Sequence, residues 1–160
     1  MSGHRHEYDV TVTWTGNTGR GTSGYTAYAR DHEVSAATGA PMIPGSSDPS
    51  FRGDPVRWNP EQLLVTSLSQ CHMLWYLHLA SAAGVVVTAY EDHAHGVMVT
   101  DRSGAGQFDA VTLRPRVTIT AASDPEVALR LHADVPALCF IARSVNFPVG
   151  HEPEIVVDGL

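Results

Sequence analysis

Hydrophobic and polar residues alternate near the start of the chain. Over residues 8–14, Val10 and Val12 lie on one face, which is the period-two pattern of a strand. A similar alternation over residues 23–35, after a glycine-rich turn, predicts a second strand and therefore a hairpin. Residues 39–55 are rich in Gly, Pro, Ser and Asp, so we interpret them as a long connection.

The clearest helix signal begins at Asn59. This residue is a good N-cap, Pro60 suits the first helical position, and Gln62 stands where a capping box places it. Apolar residues over 63–83 occur on every face of the predicted helix, and Gly84 is a natural terminator. The pattern predicts a long helix that is buried nearly all round.

The second half of the chain has strand patterns at residues 85–100 and 110–121, separated by a turn at 101–106. Ser123 marks the start of a helix that runs toward Cys139, and residues 155–157 form a short last strand. The order is then strand, strand, helix, strand, strand, helix, strand. It indicates an α+β protein with antiparallel sheets around one long, buried central helix.

Length and composition exclude several classes of protein. A chain of 160 residues fits one domain, which we expect to cover residues 1–160. A net charge of -7 with only 10 Lys and Arg residues argues against nucleic acid as a partner. No leader segment or membrane span is recognisable, so we expect a soluble, cytoplasmic protein with no membrane partner.

The chain has two cysteines, Cys71 and Cys139, too few for the disulfide framework of a small secreted domain. Cys71 lies well inside the predicted long helix, where a cysteine is commonly a small core residue. Reactivity would require a nearby cation, because the thiolate is the nucleophile. The candidates for that cation are Arg20, Arg52 and Arg57.

Three segments carry a family resemblance. They are Trp58-Asn59-Pro60-Glu61-Gln62-Leu63-Leu64, Cys71-His72-Met73-Leu74 and Leu138-Cys139-Phe140. With Arg20-Gly21 in the first hairpin, they resemble the OsmC/Ohr family of osmotically induced and organic hydroperoxide resistance proteins. The resemblance extends over nearly the whole chain.

The resemblance implies an OsmC-like fold and an intertwined homodimer with active sites at the subunit interface. It implies a peroxidase in which Cys71 attacks the hydroperoxide and Cys139 resolves the product as a disulfide. Arg20 matches the catalytic arginine and Glu61 the acid that orients it, although Arg52 or Arg57 remain alternatives to Arg20. The expected substrates are alkyl or lipid hydroperoxides, with a small-molecule or lipoyl-type dithiol as reductant and no metal or organic cofactor.

The spacing of Glu61 and Cys71 constrains such a site. Ten residues of straight helix separate them by about 15 Å along the axis, so the two side chains cannot touch. Either a long arginine spans between them, or the carboxylate comes from the second subunit.

Several other side chains could bind a substrate or a metal, and for the first group the sequence leaves two interpretations open. Four apolar residues either line a pocket for organic peroxides or belong to the core, namely Met73, Trp75, Phe140 and Phe147. The histidine pairs at 4 and 6 and at 93 and 95 lack the further ligands that a metal site needs. Besides the peroxidase, the chain is compatible with a binding protein for small apolar ligands or with a redox sensor.

Overall fold

The computed structural model describes residues 3–159. The chain divides into two compact units, one ending at Leu63 and the other starting at Leu64. The secondary structure consists of nine strands, two α-helices and three short 3-10 turns within the described residues. The chain is therefore α+β, as its sequence pattern indicates.

The first unit contains a three-stranded antiparallel sheet. Its strands are β1 (Thr11–Trp14), β2 (His32–Ser35) and β3 (Ile43–Gly45), in that order. The predicted strand over 23–35 forms only at its last four residues. The preceding residues turn back on themselves, and the Arg30 guanidinium donates hydrogen bonds to the carbonyls of Tyr25 and Tyr28.

The long helix α1 (Pro60–Ala82) begins with the predicted capping box. The Gln62 backbone N–H donates to the Asn59 side chain over 2.8 Å, and the Asn59 N–H donates to the Gln62 side chain over 3.1 Å. The helix is followed by Gly84 in the left-handed conformation, at φ 75°. These two boundaries confirm the predicted start and end of the helix.

Burial on α1 follows a single stripe. The fully buried residues recur every fourth position, at Leu68, His72, Tyr76 and Ala80. Leu74, on another face, is 62% exposed. The prediction of burial on all sides is wrong for the single chain, because only this stripe is fully buried and its neighbours Cys71, Trp75, Leu77 and Leu79 are partly buried against the core. Among residues 3–159, neither α1 nor any other helix combines the length and apolarity required to cross a membrane.

The second unit contains two mixed sheets and the helix α2 (Pro125–Asp134). Its six strands are β4 (Val87–Asp92), β5 (His95–Thr100), β6 (Gly106–Leu113), β7 (Pro115–Ile119), β8 (Val149–His151) and β9 (Glu154–Val157). The sheet orders are β4-β7-β9 and β5-β6-β8. The pairs β7–β9 and β6–β8 are parallel, so the expectation of purely antiparallel sheets is wrong.

Each of the two long strands predicted in this unit is broken where the chain changes sheets. The first breaks after Asp92 and the second at Arg114. The Asp92 carboxylate accepts a hydrogen bond of 2.6 Å from the Arg114 backbone N–H, so the two breaks are joined. A polar side chain thereby satisfies a backbone donor that leaves the sheet.

The start and end of α2 differ from the prediction. Asp124, not Ser123, is the N-cap, and its carboxylate accepts hydrogen bonds from the next turn. Ser123 instead accepts a hydrogen bond from the Val86 N–H at 2.9 Å. The helix ends at Asp134 and a 3-10 turn, Val135–Ala137, follows, because Pro136 has no backbone N–H to continue α2. Cys139 therefore follows this turn and does not lie on the helix.

The helix cap gives the first testable prediction. Replacing Asn59 by Ala removes the acceptor for the Gln62 N–H, and we expect the free energy of unfolding to fall by about 1 kcal/mol. Urea unfolding followed by circular dichroism measures this change. Asn146→Ala, at an exposed position, serves as the control and should be nearly neutral. An Asn59→Ala variant as stable as wild type would show that the cap does not stabilise the helix.

Candidate active site

The structure brings the two cysteines of the chain together in the second unit. Cys71 lies on α1 and is half-buried, and Cys139 is 2% exposed. Both are free thiols that lie close together, although 68 positions separate them in the sequence. Cys139 is a core residue, and Cys71 packs against the same cluster. Two thiols in contact can form a disulfide without a long movement of the backbone.

The two thiols have different environments. Burial raises the pKa of the Cys139 thiol, and the neighbouring Cys71 side chain raises it further. The Ala142 N–H, 3.4 Å from the Cys139 sulfur, opposes the effect only in part. Cys139 is therefore protonated at neutral pH.

Cys71 opens onto an apolar cleft of about 510 Å³. The residues that line it are Ser67, Gln70, Cys71, Leu74, Trp75, His78, Phe140 and Ile141. The rings of Trp75 and Phe140 meet edge to face with centroids 5.5 Å apart. A hydrophobic molecule in this cleft would lie beside the Cys71 sulfur.

Two of the four apolar residues considered for a pocket, Trp75 and Phe140, line this cleft. Met73 and Phe147 do not. Phe147 packs on Phe108 with ring centroids 5.3 Å apart, in the smaller of the two core clusters. For Phe147 the core interpretation is the correct one.

The three candidate arginines all belong to the first unit and differ in their surroundings. The Arg57 guanidinium lies 3.4 Å from the Asp31 carboxylate and 3.9 Å from that of Asp54. Arg20 is exposed in the turn after β1. Arg52 is also exposed, in a left-handed conformation at φ 68°. Arg57 is thus already ion-paired, whereas the pairing of any arginine with Cys71 stays a prediction.

Glu61 lies in the first turn of α1, and Cys71 follows ten residues later on the same helix. The Glu61 Oε2 atom is buried and has no hydrogen-bond partner among residues 3–159. A buried carboxylate oxygen without a donor is costly, and a guanidinium would satisfy it. The orienting role assigned to Glu61 by resemblance also stays a prediction.

A layer of three histidines lies near Cys139 and is not evident from the sequence. The His72 Nε2 and His132 Nδ1 atoms are 2.9 Å apart. His132 also stacks on Tyr76 with centroids 3.9 Å apart, while the His151 ring lies 5.5 Å from that of His72. His72 and His132 are 60 positions apart, and His132 and His151 are 19 apart. No local spacing in the sequence therefore predicts that these rings pack together.

Burial lowers the pKa of His72 to about 4 and that of His132 to about 3. The nearby imidazoles lower both values further, and the Asp92 carboxylate opposes the effect at His72. Both rings are therefore neutral at neutral pH. In the part of the chain that the structure describes, no three His, Cys, Asp or Glu side chains are placed to hold a metal ion.

Comparisons with known proteins identify similar sequences and similar folds. Residues 53–154 match the family model described as OsmC-like protein. A solved OsmC-like protein of unknown function from Vibrio cholerae is 29% identical, with a TM-score of 0.83 over 93% of this chain and 99% of that one. No curated protein sequence matches the chain.

Two organic hydroperoxide resistance proteins of known structure are also similar. The OsmC protein of Legionella pneumophila is 13% identical, with a TM-score of 0.69 over 97% of this chain and 100% of that one. OhrB of Bacillus subtilis is 18% identical, with a TM-score of 0.63 over 94% and 98%. These likenesses confirm the predicted fold.

The histidine pair predicts that the protein loses stability in acid. The folded pKa values of His72 and His132 lie below the ordinary value of 6.5, so the unfolded chain takes up protons first as the pH falls. The free energy of unfolding should be at its full value above pH 6.5 and lower by about 2–4 kcal/mol at pH 5. Urea unfolding at a series of pH values measures it.

Two variants separate this effect from general acid sensitivity. His132→Phe keeps a ring against Tyr76 but cannot titrate, so its stability should depend about half as strongly on pH as that of wild type. His78→Gln, which alters an exposed histidine of α1, the helix that also carries His72, should keep the wild-type dependence. A wild-type stability that is flat between pH 5 and 8 would contradict the interpretation.

Proposed function

The chain belongs to the OsmC-like protein family, and we propose that it is a thiol-dependent peroxidase that reduces organic hydroperoxides through Cys71 and Cys139. The observation that carries the proposal is the pair of neighbouring free thiols, of which Cys71 borders an apolar cleft. The pair places an accessible sulfur beside the space for a substrate and a second sulfur within reach of the product.

The proposed electron transfer passes through these two sulfurs to the hydroperoxide, and an external dithiol supplies the electrons. The Cys71 thiolate attacks the distal oxygen of the hydroperoxide, the O–O bond breaks, and the alkoxide leaves as an alcohol after taking up a proton. Cys71 becomes a sulfenic acid. The Cys139 sulfur then attacks the Cys71 sulfur, forming the disulfide and releasing water. Exchange with a dithiol, either a small molecule or a lipoyl-type protein thiol, restores the reduced pair.

The cleft favours organic hydroperoxides over hydrogen peroxide. Burial of an alkyl chain contributes about 0.8 kcal/mol for each methylene removed from water. Leu74, Trp75 and Phe140 offer such burial next to Cys71, whereas hydrogen peroxide has no apolar part to bury. We therefore propose alkyl or lipid hydroperoxides as substrates.

An arginine and Glu61 complete the proposed site. A guanidinium keeps its charge and donates both to a thiolate and to a carboxylate, so it stabilises the attacking form of Cys71. We assign this role to Arg20, because Arg57 is already paired with Asp31 and Asp54 in the first unit. Arg52 remains the alternative.

We further propose that the protein is a homodimer and that Glu61 serves the site of the other subunit. The axial distance of about 15 Å along α1 separates Glu61 from the Cys71 of its own chain. The unpartnered Oε2 of Glu61 is available to a donor from outside the chain. Leu74 and Phe140, which are 62% and 64% exposed beside the cleft, provide apolar surface that a second subunit would cover.

A binding protein for small apolar ligands is the second candidate. The cleft volume of about 510 Å³ lies within the range of small-molecule sites, roughly 300–1,000 Å³. Such a protein would bind ligand in the cleft without consuming peroxide. The two cysteines in contact favour the peroxidase, because ligand binding does not require them.

Replacement of each cysteine tests the peroxidase. With an alkyl hydroperoxide and a dithiol, Cys71→Ser should lose the activity entirely, because the hydroxyl is not a comparable nucleophile. Cys139→Ser should perform one turnover and then accumulate oxidised Cys71. Consumption of peroxide and mass spectrometry of Cys71 measure the two effects.

The outcome also separates the two candidate functions. Wild type that turns over no faster than Cys71→Ser would rule out the peroxidase. If, in that case, a long-chain apolar ligand binds equally to wild type and Cys71→Ser, the second candidate is supported. Binding that is lost in Trp75→Ala would assign such a ligand to the cleft.

Mixed dimers test where Glu61 acts. Glu61→Gln and Cys71→Ser are each expected to be nearly inactive alone. If Glu61 serves the other subunit, a dimer with one chain of each kind contains one intact site and regains up to half of the wild-type activity per dimer. The mixture is prepared by co-expression with two affinity tags. Mixed dimers that stay inactive would place Glu61 in its own subunit's site, and a monomer in sedimentation would exclude a role for Glu61 in the site of another subunit.

A further inference from the structure

A small cavity beside Cys139 is separate from the substrate cleft. The space open to the centre of a water molecule is about 10 Å³, which accommodates roughly one water. Its polar side chains are Cys139, His72 and His151. The rest of the lining is apolar side chain or glycine, namely Leu68, Leu113, Pro136, Ala142, Val149 and Gly150. The polar groups that a water in this cavity would meet are therefore one thiol and two imidazoles.

The buried state of Cys139 creates a need for a proton acceptor. In the proposed reaction Cys139 must attack the Cys71 sulfenic acid, and a thiolate does so far more readily than a thiol. Cys139 is 2% exposed and protonated, so bulk water cannot remove its proton directly. A proton acceptor within reach of the cavity would allow Cys139 to lose its proton without direct contact with bulk water.

The three histidines differ in their capacity for that role. His72 and His132 are buried, bonded to each other at 2.9 Å, and held neutral by their surroundings. His151, at the end of β8, is only partly buried and can exchange protons with solvent. Its ring lies 5.5 Å from that of His72 and 6.2 Å from that of His132.

The charged groups around His151 are compatible with a transient positive charge. The two facing imidazoles, from α1 and α2, are neutral, so they do not repel an imidazolium strongly. Asp92, which acts electrostatically on His72, supplies a negative charge nearby. The adjacent Glu152 is paired with Arg114 at 3.1 Å.

We propose that His151 accepts the Cys139 proton, by way of a water in this cavity, as Cys139 attacks the Cys71 sulfenic acid. The inference rests on the peroxidase function proposed above. The Cys139 S–H bond breaks, the Cys71–Cys139 bond forms and the Cys71 S–O bond breaks. The departing hydroxide takes up a proton and leaves as water, and His151 releases its proton to solvent. The sulfenic acid is the oxidant and the Cys139 thiol is the reductant, so the step needs no other reagent.

Single-turnover kinetics tests the proposal. Reduced protein is mixed with one equivalent of an alkyl hydroperoxide. A 1,3-diketone reagent traps the Cys71 sulfenic acid, and peptide mapping measures the disulfide. In His151→Gln, sulfenic acid should form at the wild-type rate, whereas disulfide formation should slow by about 10²-fold.

Two readouts distinguish proton transfer from a structural role. The wild-type rate of disulfide formation should fall as the pH is lowered from 8 to 5, the range in which histidines gain a proton, and His151→Gln should lose this histidine-dependent step. Added imidazole should restore the rate in His151→Ala. His93→Gln, which alters an exposed histidine outside the layer, should behave as wild type.

Three results would overturn the inference. The first is a His151→Gln protein that forms the disulfide at the wild-type rate. The second is a slow, folded variant that keeps the wild-type pH profile or that imidazole does not rescue. The third is wild type that forms no sulfenic acid, which removes the proposed function itself and is recognised by the absence of the trapped species.

Discussion

The contact between the Cys71 and Cys139 thiols is the interaction on which the proposed chemistry depends. Cys71 lies on the long helix, and Cys139 follows the turn after the second helix, so the contact joins two distant parts of the chain. Tyr76 and Val135, one from each of these segments, are fully buried in the same cluster as Cys139. The hydrophobic core of the second unit therefore fixes the separation of the two sulfurs.

Burial of this contact has opposite consequences for its two members. Cys139 gains a fixed position in the core but becomes difficult to deprotonate, because a thiolate is poorly solvated there. Cys71, only half-buried, meets the apolar cleft where a hydroperoxide is proposed to bind. An accessible attacking sulfur and a protected resolving sulfur fit the proposed order of reaction. The small cavity with His151 supplies a path by which the buried proton can leave.

Features set by neighbouring residues were predictable from the sequence. The Asn59–Gln62 capping box and the stop at Gly84 depend on a few adjacent residues, and both are confirmed. The breaks after Asp92 and at Arg114 were missed, because a hydrogen bond between distant segments stabilises the change of sheet. Strand patterns contain no sign of such a bond.

The candidate site was predictable only in part. The family resemblance singled out Cys71 and Cys139, and the structure places them in contact. The neutral pair of His72 and His132 could not be foreseen, because its members are 60 positions apart and the fold alone brings them together. The pairing of Arg57 with Asp31 likewise emerges only in three dimensions. Sequence motifs name reactive groups, whereas burial and distant neighbours determine their protonation.

The most direct measurement is the map of disulfides after one equivalent of an organic hydroperoxide is added to the fully reduced protein. Non-reducing digestion and mass spectrometry should reveal a Cys71–Cys139 bond within one chain, formed in the same final amount as the alcohol product. Cys71→Ser should yield neither bond nor alcohol. If wild-type protein leaves the hydroperoxide intact and both thiols free, the account of this chain as a two-cysteine peroxidase is wrong.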